Sequence, residues 1–338
     1  MKTRTRKIFL NDYGSFLGRA DGCLTVRHRD KKIEKYPLFE NEVGEIQISI
    51  GNSVSSVALA TCAFWGIDLV ILTQRGQPVA VLKSLDNDSH VKTRIRQYQS
   101  LKTGKGTEIA RQIVLGKVEG QNNILKKYGF RQHDLMKIKE RVAGAVSRNS
   151  LITIEGHATE KYFQQIFQLI PKALRIEKRR TFKAYDGMNN IFNFAYTTLK
   201  WKVYRAIISA KLEPFLGFLH SEQFSKPSLV CDIMELYRYL LDDFVIQYCK
   251  TLKKKDFAMN QEDYSSGKKG QRQYLKKASA QDMMEKLTSF FESTVEIPRV
   301  KHGNKQTLET LINEEVMLLA QYLRNERPEW SPRLPKLE

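Results

Sequence analysis

The first 84 residues alternate between apolar and polar side chains with a period of two. This is the mark of half-buried strands, and it covers 6–11, 15–19, 23–29, 33–39 and 45–50. Asp21-Gly22 is a strong signal for a tight hairpin turn. A short apolar run at 67–73 has the length of a buried strand, and 79–83 follows a second turn at Arg75-Gly76. In EIQISI, Ile46, Ile48 and Ile50 share one face. One helical pattern interrupts the strands at 55–65. It has Val57, Leu59, Ala60 and Ala63 on its apolar side and Asn52 or Ser55 as its cap.

After the polar stretch 86–90 the period changes to that of a helix. Helices are expected at 91–101, at 107–127 (Ile109, Ile113, Val114, Val118 and Ile124 in one stripe) and at 131–147. A further helix, capped by Asn149 or Ser150, runs to Pro171, and another begins at Tyr185 or Asp186. A single helix from Ser228 onward would seat Val230, Ile233, Tyr237, Leu240, Leu241, Phe244 and Val245 in a core. Two more follow at 280–291 and 307–324. The fold class is therefore α+β. A small β-rich, sandwich-like domain with one short helix (1–85) is joined by a linker (86–90) to a larger all-α domain (91–326). An extended tail (327–338), holding three prolines, is expected to be ordered only by a partner.

Charge changes the picture more than composition does. The 338 residues carry 56 Lys and Arg against 37 Asp and Glu, a net +19. Residues 1–90 hold 12 basic and 10 acidic side chains, so +17 of the excess lies in 91–338. A neutral front and a basic back point the second domain at a polyanion, and nucleic acid is the first choice. No run has the length of a membrane span or of a secretory h-region, so a cytoplasmic protein is expected. The four cysteines, Cys23, Cys62, Cys231 and Cys249, are scattered and support neither a disulfide framework nor a zinc site. A basic run at 250–255 and the segment SSGKKGQR at 265–272, read as a mobile basic loop, add to the charge of the second domain.

The chemistry concentrates in GFLHSEQFSKPSLVCDIMELYR, residues 217–238. His220 precedes a polar loop with Lys226, and Asp232 and Glu235 sit three apart on the helix that follows, on one face. An imidazole with oxygen donors suits Mg2+ or Mn2+ better than a thiolate-preferring ion. The alternative is that both acids are merely solvated. Three protein donors are a sensible minimum for a catalytic hard cation that must leave positions for substrate. Gly156, in the middle of a helix beside Glu155, suggests close approach of another backbone. His157 points away from Glu155, about 200° round the helix. Asn189 and Asn193, four apart, share a face with Tyr196; buried amides there either orient the carboxylates or cap neighbouring chain ends.

G-x-x-H, a short loop ending in Lys-Pro-Ser-Leu, and then D-I-M-E-x-Y-R resemble the signature of the CRISPR-associated spacer-acquisition integrases, the Cas-one family. I-E-G at 154–156 with Tyr162-Phe163 is similar to that family's Glu-bearing helix. D-G-x-N-x-x-x-N-F-x-Y at 186–196 is similar to its Asn-bearing helix. Two departures are Tyr239 and Gly187, where the family commonly has proline. The resemblance spans nearly the whole chain. It implies a divalent metal held by Glu155, His220 and Glu235, with Asp232 an essential catalytic neighbour that helps recruit the ion or accepts a proton. It also implies Asn189, Asn193 and Tyr162 in support, and Lys226, Arg238, Arg179 and Arg180 on DNA phosphates. The implied activity is Mg2+- or Mn2+-dependent cleavage and 3′-OH strand transfer on DNA. The implied partners are DNA, a second copy joined through the N-terminal domain, and the small Cas-two protein. A stand-alone integrase of a mobile element and a non-catalytic basic DNA-binding module are the alternatives.

Overall fold

The computed structural model describes residues 6–39, 43–73, 78–82, 91–221, 223–263, 269–295 and 306–335. The chain divides into two units, Met1–Ser89 and His90–Glu338. The linker expected at 86–90 and the turn at Arg75-Gly76 lie outside the described residues.

The first unit holds β1 (Arg6–Leu10), β2 (Phe16–Ala20), β3 (Cys23–Arg27), β4 (Ile33–Pro37), β5 (Val43–Ser49), β6 (Ser53–Val54), α1 (Ser56–Phe64), β7 (Asp68–Leu72) and β8 (Pro78–Leu82). They form two four-stranded sheets, β1-β5-β7-β8 and β4-β3-β2-β6. Asp21 and Gly22 both adopt positive φ, 52° and 72°, as a two-residue hairpin between Ala20 and its partner Cys23 requires. Leu17, Leu24, Ile46, Ile48, Ala58, Cys62 and Leu69 fill the core. Ile50 does not join Ile46 and Ile48, because β5 ends at Ser49 and leaves it 51% exposed. The short helix is turned from the expected stripe. It buries Ala58, Thr61 and Cys62, and Val57 faces solvent. Ser55 caps it, accepting from the Ala58 N–H, while Asn52 binds the backbone of Ser15, Leu10 and Ser49.

The second unit is built from α2 (Val91–Ser100), α3 (Gly104–Lys127), α4 (Leu135–Ala143), α5 (Arg148–Ile166), α6 (Gly187–Ser209), α7 (Ser228–Glu235), α8 (Arg238–Cys249), α9 (Lys277–Glu292) and α10 (Leu308–Leu323). Its core runs through α3, α5, α6, α7, α8, α9 and α10. α4 is shorter than expected, starting where Asp134 caps it by accepting from the Lys137 N–H. Ser147, not Asn149 or Ser150, caps α5. Asp186 caps α6.

Three larger expectations are also corrected. First, the unit is not all-α. β9 (Phe257–Asp263) and β10 (Lys269–Leu275) pair as an antiparallel hairpin, so part of the expected mobile basic loop is a strand. The hairpin docks on the start of α6, where Gln273 accepts the Gly187 N–H and the Phe257 ring fills the space a side chain at 187 would need. Second, the single helix from Ser228 is two. α7 closes with i→i+3 bonds at Leu236 and Tyr237, and α8 begins at Arg238. Third, the tail packs on its own unit. Trp330 and Leu334 are buried, Tyr239 Oη donates to the Pro335 carbonyl at 2.6 Å, and Arg333 pairs with buried Glu315 at 3.0 Å. Apolar anchors and a buried ion pair hold the extended chain without a partner.

Candidate metal centre and its surroundings

Four elements of the second unit bring their polar side chains to one place. α3 contributes Lys117, α5 Glu155, α7 Glu235 and α8 Arg238. The Lys117 ammonium lies between the two carboxylates, hydrogen-bonded to Glu155 Oε1 and 2.6 Å from Glu235 Oε2. Arg238 Nη1 is 2.9 Å from Glu235 Oε1. Thr159, one turn after Glu155, donates to it at 2.9 Å and accepts from Gln121 at 3.0 Å. α3 approaches this closely because Gly116 and Gly120 face Leu236 and Tyr239; a Cβ at Gly116 would lie 2.7 Å from Leu236 Cδ2. Gly156, by contrast, has nothing within 4 Å of where its Cβ would be, so the close approach expected there is made on α3 instead.

Burial alone would push the Glu235 carboxyl up, but Arg238, then Lys117, outweigh it and hold it down to about 2. Burial would likewise lower the Lys117 ammonium, yet Glu235 and Glu155 raise it on balance.

His220 is placed by Asp232. That carboxylate, with no exposed surface, accepts the backbone N–H groups of Phe218 at 2.5 Å, Leu219 at 2.9 Å and His220 at 2.9 Å, and lies 2.7 Å from His220 Nδ1. With Nδ1 donating to the carboxylate, the lone pair is on Nε2, the form a metal ligand needs. Asp232 thus holds both the loop and the ring.

Glu155 and Glu235 therefore converge on a single cation. Among the described residues no three His, Cys, Asp or Glu side chains meet at one point. The donor set, two carboxylates and an imidazole with its Nε2 lone pair, fits a hard divalent ion.

The remaining expected site residues divide. Tyr162 donates to Asp242 Oδ2 at 2.9 Å, and Tyr196 donates to Oδ1 of the same buried acid. Asn189 accepts from Arg179 Nη1 at 3.0 Å and from the Arg180 N–H at 2.7 Å; Asn193 accepts from Arg179 Nη2 at 2.6 Å. The two amides clamp the basic connector and do not touch the carboxylates. Arg179 is half-buried and lies over the Phe192 and Tyr196 rings, so packing as well as charge holds it. Arg180 is exposed, Lys226 is half-buried, and His157 faces solvent. Lys117, Gln121, Tyr162, Tyr196 and Asp242 line a small cleft beside Glu235.

Lys117 and Asp242 were missed by sequence reasoning. A signal existed for the lysine, which sits inside the apolar stripe of α3, three and four residues past Val114 and Ile113.

The model of the family described as CRISPR associated protein Cas1 matches residues 8–280. The chain belongs to the Cas1 family. A CRISPR-associated endonuclease Cas1 of Pyrobaculum aerophilum is 29% identical over 254 residues, covering 73% of this chain and 83% of that relative. One from Francisella tularensis subsp. novicida is 28% identical over 264 residues, 75% of this chain and 81% of the relative. Among solved structures, a casposase bound to integration product has a TM-score of 0.80 at 20% identity, covering 99% of this chain and 95% of the other. A Cas1 protein from Thermotoga maritima has a TM-score of 0.74 at 21% identity, covering 94% and 97%. The Cas1 fold, strand-rich first and helical second, is the one described above. Among the described residues no helix is long and apolar enough to cross a membrane.

Proposed function

We propose that this Cas1 protein is a divalent-metal-dependent DNA integrase and endonuclease of CRISPR adaptation. The observation that carries the reading is the convergence of Glu155 and Glu235 on one cation, with the His220 ring oriented separately by Asp232 at 2.7 Å. Glu155, Glu235 and His220 Nε2 would hold Mg2+ or Mn2+. The chemistry such an ion supplies is polarisation of the phosphodiester and stabilisation of the leaving 3′-oxygen. The chain's own part is positioning and charge neutralisation. Asp232 keeps the His220 tautomer, Arg238 neutralises Glu235, Lys226 would face the phosphates, and exposed Arg180 extends the basic surface. The nucleophile is the 3′-hydroxyl of a DNA end in integration and water in hydrolysis.

The expected partners are DNA, a second copy joined through residues 1–85, and a Cas2 protein. Support for the last comes from the fold likeness to a chain of a Cas6-RT-Cas1–Cas2 complex, TM-score 0.75. A second reading, an integrase that works without Cas2, draws on the likeness to the casposase.

The test is joining of a labelled DNA fragment bearing 3′-hydroxyls to a supercoiled target carrying a CRISPR repeat. Joined product in Mn2+ or Mg2+, abolished by chelation, is the expected result; joining that survives chelation contradicts the reading. Joining without added Cas2 favours the second reading.

A further inference from the structure

We propose that Lys117 is a built-in counter-cation of the metal centre, and that it makes divalent-ion binding and DNA binding depend on each other. The proposal rests on the reading above, that Glu155, Glu235 and His220 hold the ion.

The charges around the site are already balanced. Two carboxylates, Glu155 and Glu235, face two cations, Lys117 and Arg238. The Lys117 side chain is 7% exposed and that of Glu235 is 3% exposed, so solvent screens this group poorly. A divalent ion entering the balanced site brings two uncompensated positive charges and meets the Lys117 ammonium where the carboxylates converge. Burying unpaired charge is costly, so the ion alone should bind weakly.

DNA changes the balance. A phosphodiester brings negative charge, and it gives the ammonium a new partner on a flexible four-carbon stem. Lys117 can then turn from the carboxylates to the phosphate and leave both to the ion. Lys117 would thus do two things, holding Glu155 and Glu235 together before substrate arrives and gripping a phosphate afterwards. Arg238 has less freedom, since its guanidinium is held against the Tyr196 ring as well as Glu235. Because coupling between two ligands is reciprocal, Mn2+ should tighten DNA binding by the same factor as DNA tightens Mn2+ binding.

The experiment titrates Mn2+ into the full chain and follows the electron paramagnetic resonance of the free ion. It is run with and without a short duplex whose 3′ ends are dideoxy, so that no joining occurs. Wild type should bind Mn2+ at least about tenfold more tightly with DNA than without. Lys117→Met should bind Mn2+ more tightly than wild type in the absence of DNA, and DNA should then add less than about twofold. Lys117→Arg, which keeps the charge, should behave as wild type. Equal wild-type affinities with and without DNA overturn the proposal, as does a folded Lys117→Met that tracks wild type in both conditions. Should Lys117→Met not fold, Lys117→Gln, which also removes the charge, is read in the same way. No Mn2+ binding under any condition overturns both the proposal and the metal reading; tight, DNA-independent binding overturns the proposal alone.

Discussion

Asp232 Oδ1 lies 2.7 Å from His220 Nδ1, and the same carboxylate caps the N–H groups of Phe218, Leu219 and His220. One acid therefore shapes the loop and chooses the imidazole tautomer. Gly217 makes this possible: a Cβ there would sit 2.8 Å from the Ser228 carbonyl carbon and 2.9 Å from Asp232 Oδ2. Asp232→Ala would strand buried N–H groups at about 1–3 kcal/mol each. We expect a loss of at least about 3 kcal/mol in urea unfolding, with Asp232→Asn milder. A loss below about 1 kcal/mol for the alanine variant would show that the cap is not what holds the loop.

The two neighbouring arginines should separate cleanly. Arg179 is held by Asn189 and Asn193 against two aromatic rings, whereas Arg180 is exposed. Arg180→Ala should weaken DNA binding and flatten the log affinity against log salt slope by about 0.9, with little change in melting temperature. Arg179→Ala should lower the melting temperature first. The reverse pattern contradicts the assignment.

Asp242 gives a pH dependence. Burial pushes its carboxyl from the ordinary 3.8 up to about 6, against the pull of the Tyr196 and Tyr162 hydroxyls and the Arg179 and Arg238 charges. The fold prefers the protonated form, so this contribution to stability is fully present below pH 3.8 and is lost as the pH rises through about 6. Relative to Asp242→Asn, wild type should lose up to roughly 3 kcal/mol between about pH 4 and pH 8. Parallel stability profiles for the two proteins would contradict this.

The first unit is close to neutral and rich in strands, and the proposed dimer is formed through it. Deleting residues 1–85 should convert a dimer to a monomer in sedimentation while leaving most of the salt-dependent DNA affinity, since 91–338 carries +17. A full-length monomer at micromolar concentration that joins both DNA ends unaided would rule the dimer out.

The strands and helices were readable because their periods are strong: EIQISI alternates, and α3 repeats Ile109, Ile113, Val114 and Val118. Glu155, His220 and Glu235 were readable through the resemblance in the roles proposed for them, but the backbone loop that Asp232 holds and the Lys117 ammonium between the two glutamates were not. Spacing places Asp232 and Glu235 on one helix, yet only tertiary structure turns one to a backbone loop and the other to Lys117. The break after Glu235 carries no proline or glycine, so no local signal marks it. The hairpin 257–275 and the docked tail depend on partners distant in sequence, Gly187 and Glu315, which local pattern cannot supply.

The most direct test of the metal centre is strand transfer by Glu235→Gln, a near-isosteric change that leaves Lys117 and Arg238 in place. In Mn2+, joining of a 3′-hydroxyl DNA end should fall by about a hundredfold or more, while DNA affinity measured without divalent ion at fixed salt stays within about threefold of wild type. Glu155→Gln and His220→Ala should match it, because ligands act as a unit. Full Mn2+-dependent joining by a folded Glu235→Gln protein would contradict the account.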